Sequence, residues 1–144
     1  MTEQDTVKLL RECDAGIKMG VKSIDDVEKY VKSEGMRRML SQCKAEHERL
    51  EGEVNAMLTN YGDDGKSPSP IITGISWVKT NMKLSMSPSD KTVADLMTDG
   101  CNMGVKSLSG YLNQYTNATE KSKDVVKKVI KLESDLCENM RSYL

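Results

Sequence analysis

Met36-Arg37-Arg38-Met39-Leu40-Ser41-Gln42-Cys43-Lys44-Ala45-Glu46-His47-Glu48-Arg49-Leu50, continued to Tyr61, sets a core-type residue at Met36, Leu40, Cys43, His47, Leu50, Val54, Met57 and Tyr61. The spacing alternates between four and three, which keeps one seam along an α-helix, interrupted only by the polar His47. A helix over 35–61 follows. Gly62, just behind it, is the residue type that leaves a helix most cheaply.

Upstream, Val7, Leu10, Ile17, Val21, Ile24 and Val31 repeat the stripe and predict a helix over 3–32. Ser33-Glu34-Gly35 is too short for anything but a tight reversal, so these two helices form an antiparallel pair. Downstream, Ser87-Pro88-Ser89-Asp90 reads as a helix start, with the inner stripe Val93, Met97, Cys101, Gly104, Leu108, Tyr111 and Tyr115 over 88–116. Asn117-Ala118-Thr119-Glu120 opens a last helix over 119–143, carrying Val125, Val129, Leu132, Leu136, Met140 and Tyr143 inward.

Pro68, Pro70 and Pro88 all fall in the middle of the chain, in or beside the segment from Gly62 to Met86. Its second half, amphipathic through Ile71, Ile75, Trp77, Val78 and Met82, predicts a short fifth helix over 71–84. A helix of about 14 residues spans roughly 21 Å, and a dozen extended residues add about 35 Å. The segment can therefore run the full length of a bundle of about 40 Å. The expected fold is all-α: one domain over 1–144, two antiparallel hairpins joined by a long crossover, up-down then down-up.

Met19-Gly20-Val21-Lys22-Ser23-Ile24 recurs as Met103-Gly104-Val105-Lys106-Ser107-Leu108, and the same offset lays Gly16 on Gly100. Such a match suggests that the hairpins are related copies. Glycine inside a helix costs about 1 kcal/mol relative to alanine, so four of them invite a reason. A close antiparallel crossing of the first and third helices, Gly16 and Gly20 against Gly104 and Gly100, supplies one.

The 144 residues balance 21 Lys and Arg against 22 Asp and Glu, a net charge of −1. A nucleic-acid partner would need a basic face to neutralise phosphates, and none is present. No stretch approaches the roughly 20 apolar residues of a membrane span. Met1-Thr2-Glu3-Gln4-Asp5 is acidic and precedes no apolar run, so a cytoplasmic protein with reduced Cys13, Cys43, Cys101 and Cys137 is expected. The cysteines and the ten methionines read as filling for a core that has no Phe. No residue pattern names a reaction.

Cys43-Lys44-Ala45-Glu46-His47-Glu48-Arg49-Leu50, the Gly-ended second helix, the Gly74-Ile75-Ser76-Trp77-Val78-Lys79 segment and the Gly- and Tyr-bearing third helix carry a resemblance over nearly the whole chain. It resembles the ferritin-like four-helix bundles, and more closely an uncharacterised bacterial domain-of-unknown-function family among them. That resemblance implies a di-iron centre, with one Glu from the first helix of each hairpin and Glu-x-x-His from the second. His47 stands where the first such His belongs. Three residues earlier, however, is the cation Lys44; the last helix has no His, and Asp14 and Asp99 are no evident match for the missing Glu residues.

Neither a catalytic residue nor a cofactor is therefore expected. The expected function is a non-catalytic ferritin-like bundle acting by self-association, as a homodimer, or through a protein partner. One alternative is a single divalent metal, such as zinc, held around His47 by Cys101 and Glu133, which hairpin counting sets at one level. The other, implied by the resemblance, is a structural coat or envelope protein. A single Cys₄ site is excluded by counting, because Cys13 and Cys43 lie roughly 16 Å apart along their hairpin.

Overall fold

The computed structural model describes residues 2–65, 86 and 88–144. Four long helices account for most of them: α1 (Thr2–Glu28), α2 (Glu34–Thr59), α3 (Asp90–Gln114) and α4 (Glu120–Met140), with a 3₁₀ turn at Arg141–Tyr143. Among the described residues there is no strand. The expected fifth helix over 71–84 lies outside the described residues.

The starts of α2, α3 and α4 are each set by a short polar side chain. The hydroxyls of Ser33, Ser89 and Thr119 accept from the backbone N–H of Met36, Thr92 and Ser122, satisfying donors that have no partner within the helix. α1 stops at Glu28, four residues short of the expected Lys32. There the chain turns, with Tyr30 N–H donating to Val27 O, and the free N–H groups of Lys32 and Ser33 donate at 2.7 and 3.0 Å to the carboxylate of Asp90. At the far end of α2, Gly62 adopts φ +69° and Asp63 N–H returns to Leu58 O, so the helix ends at Thr59 rather than Tyr61.

These bonds also fix helix direction. Asp90, at the start of α3, caps the end of α1; Asp5 and Thr6, at the start of α1, accept from Asn117 and Thr119, which link α3 to α4. α1 runs up, α2 and α3 run down, and α4 runs up. α1 packs beside α2 and α3, α4 packs beside the same two, and α1 also touches α4 across the diagonal.

The core divides into two parts. One gathers Leu9, Leu10, Cys13, Ile17, Leu50, Val54, Leu108, Val125 and Val129. The other gathers Ile24, Val27, Met36, Leu40, Cys43, Val93, Met97, Cys101, Leu136 and Met140. A fully buried side chain such as Ile17 or Leu50 contributes about 1.5–3 kcal/mol. The α2 seam is buried from Met36 to Val54, but at the lower end the inward residue is Leu58; Met57 is half-buried and Tyr61 exposed. No helix of the described residues is long and apolar enough to cross a membrane.

Candidate functional site

The two parts of the core are separated by a polar layer built on the seam that predicted α2. His47 lies on the inner line of that helix, fourteen residues after its N-cap Ser33, and is only 2% exposed. Its Nδ1 is 2.8 Å from the carbonyl oxygen of Cys43, one turn earlier. A carbonyl oxygen can only accept, so Nδ1 carries a proton and Nε2 faces across the bundle. There it meets Glu133 of α4, whose Oε1 lies 3.5 Å away. Glu133 is 6% exposed, and neither its Oε2 nor His47 Nε2 makes a hydrogen bond among the described residues.

Two glycines make room for this pair. A Cβ at Gly20 of α1 would sit 2.8 Å from His47 Nε2 and 3.5 Å from Glu133 Oε1. A Cβ at Gly104 of α3 would collide with the Glu133 carboxylate. Gly16 instead faces Leu108 at an ordinary 3.7 Å, and Gly100 faces nothing within 4 Å among the described residues. Gly20 and Gly104 thus face the same carboxylate, one helical turn away from the register in which Gly20 meets Gly100. What fills the space at these two glycines is a pair of side chains rather than a neighbouring backbone.

Burial opposes charge on both partners. It pulls the His47 pKa down, yet the contacts with Cys43 and with the Glu133 carboxylate outweigh it and leave the imidazole pushed up to about 10. Glu133 is raised by burial, against the opposing pull of His47. The couple therefore keeps a proton between its two members through neutral pH. Cys13 and Cys101 are raised, first by burial and then by Glu133, with Asp14 and Glu51 adding to Cys13, and Cys43 and Cys137 to Cys101. Their thiols stay protonated, a poor state for nucleophile or metal ligand.

The residues named from sequence separate as follows. His47 and Glu133 meet. Cys101 is buried in the neighbouring part of the core with Cys43, and all four cysteines are free thiols. Lys44 turns outward to Asp25 at 2.6 Å, and Asp99 is exposed. Asp14 is fully buried, ion-paired to Lys18 at 2.9 Å and covered by Gly65, whose φ is +92°. Among the described residues, no three His, Cys, Asp or Glu side chains are grouped to hold a metal ion.

Glu51 was not visible as part of a site. Burial, then the charge of Asp14 and a hydrogen bond with it, push the Glu51 pKa up to about 7. Its place one turn after His47 was the available signal, but only the packing of α1 brings Asp14 to it. Glu51 also lines a groove of about 310 Å³ between α1 and α2, with Lys18, Val21, Lys22, Asp25 and Glu48. No family model, no curated protein and no solved structure matches the chain.

A di-iron centre of the ferritin-like kind does not fit these residues. At the level of His47, where carboxylates from the first helix of each hairpin would reach inward, stand Gly20 and Gly104, and the space they leave is taken by His47 and Glu133.

Proposed function

We propose that this protein is a non-catalytic helical bundle with the ferritin-like layout, its di-iron site lost, and that it works by associating with itself or with a protein partner. The observation that carries the proposal is the closed polar layer. Its acid and its base face each other with exposures of 6% and 2%, an enclosed arrangement among the described residues that supports a structural role for them. An active site needs reacting groups that a substrate can approach. The surface is charged and mixed in sign, with ion pairs such as Arg49 with Glu46 and Glu53, and Lys128 with Glu53, which suits recognition between proteins more than a membrane or nucleic acid.

Two measurements on protein purified without chelator or affinity tag test this. Elemental analysis of the parent and of His47→Ala is expected to find no stoichiometric metal in either; stoichiometric metal in the parent that vanishes with His47 would establish the metal-binding alternative instead. Sedimentation velocity is expected to show a species heavier than the 16.1 kDa chain, alone or with the partner recovered beside it. A strictly monomeric protein that oxidises ferrous ion in a His47-dependent way overturns the proposal.

A further inference from the structure

Gly20 and Gly104 hold the same place in the repeated segments Met19–Ile24 and Met103–Leu108. His47 and Glu133 are also counterparts: each stands fourteen residues after the N-cap of its helix, Ser33 and Thr119. The correspondence runs along the helices. The step that carries Gly20 to Gly104 carries buried Leu9, Cys13 and Ile17 to buried Val93, Met97 and Cys101. The step that carries His47 to Glu133 carries buried Met36, Leu40 and Leu50 to buried Ser122, Val126 and Leu136. α1 runs against α3, and α2 against α4, as a two-fold rotation requires.

Equivalent side chains that touch each other lie on the rotation axis, and at an axis each group meets its own counterpart. A bundle built from two copies of the first hairpin would set imidazole against imidazole there. One built from two copies of the second would set carboxylate against carboxylate in a dry core, which pushes both toward the uncharged form. Only unlike hairpins bring base to acid.

We propose that His47 and Glu133 form a pairing code on this axis, a complementary acid–base couple that makes the first hairpin pack on the second and disfavours packing against a like hairpin of another copy. A single buried polar contact is enough to select partner and register in helical assemblies. The surroundings are ready for either arrangement. By the same two-fold, an imidazole at position 133 would stand one turn after the carbonyl of Val129, as His47 stands after that of Cys43, and a carboxylate at position 47 would enter the space beside Gly20, as Glu133 enters that beside Gly104.

The test uses full-length variants. His47→Glu and Glu133→His, each alone, are expected to lose about a hundredfold or more in the folding equilibrium constant, because each buries a like pair. The exchange variant carrying both substitutions is expected to regain at least tenfold of that loss and to sediment as the parent does. When the two single variants are unfolded and refolded together, hairpin exchange restores both acid–base contacts, and a one-to-one heterodimer is expected. An exchange variant no more stable than the weaker single variant overturns the code. So does a co-refolded mixture containing only the species formed by each variant alone.

Discussion

Replacing Gly20 by alanine should destabilise the protein although it improves the local helix. Alanine gains about 1 kcal/mol over glycine inside a helix. Against this, the new methyl would lie 2.8 Å from His47 Nε2 and 2.9 Å from Cδ2. The ring cannot simply retreat, because Nδ1 is tied to the Cys43 carbonyl at 2.8 Å and the residue is only 2% exposed. Overpacking of this kind costs about 1–3 kcal/mol, and displacing one member of a buried acid–base pair adds to it, up to about 3–5 kcal/mol when contact is broken. The net expectation is a loss of about 1–3 kcal/mol. Gly100→Ala and Gly52→Ala, with none of the described residues within 4 Å of the new methyl, should gain about 0.5–1 kcal/mol instead. Gly16→Ala, meeting Leu108 at 3.7 Å, belongs with the gainers. Urea denaturation followed by far-ultraviolet circular dichroism separates the two groups, provided the slope with denaturant is unchanged. A Gly20→Ala protein as stable as Gly100→Ala refutes the assignment of the glycine to this packing.

Folded Glu51 holds its proton up to about 7, whereas an unfolded glutamate releases it near 4.5, so the folded state binds more protons between those values. Its contribution is fully present below about 4.5 and is lost as pH rises through about 7, a loss of about 1–2 kcal/mol once partial exposure is discounted. In Glu51→Gln that slope should flatten, which pH-dependent urea titrations read directly; an unchanged slope assigns it elsewhere. All four cysteines are buried free thiols, so the native protein should react with a thiol reagent only as fast as it unfolds, while denatured protein titrates four at once. Fast native labelling of any one would show the core to be open there. Asp90→Ala removes the acceptor from Lys32 and Ser33 N–H and should cost about 1–2 kcal/mol, with amide exchange accelerated at those two residues. Exchange rates equal to the parent's would mean that the end of α1 is held by other contacts.

Local pattern was enough for the four described helices, their order and most of the inner line of α2. Met36, Leu40, Cys43, His47, Leu50 and Val54 are all buried, as a seam repeating every three to four residues requires. The starts of α3 and α4 were readable too, because Ser89 and Thr119 act within a single turn, whereas Ser33, read only as part of a reversal, caps α2. Less was legible where apolar character and burial part company. Asp14 is fully buried because Lys18 neutralises it and the loop at Gly65 closes over it, while Val7 and Val21, on the expected stripe of α1, are only half-buried.

Sequence by itself placed the four described helices, most of the inner face of α2 and one histidine on that face. Tertiary structure decided what that histidine meets. A helical face depends on neighbours three or four residues away, but the level at which two helices face each other depends on contacts between residues 58 and 113 positions apart, Lys32 to Asp90 and Thr6 to Thr119. A shift of one turn there separates a glycine crossing at Gly100 from the arrangement found, in which Gly20 and Gly104 enclose one acid–base pair.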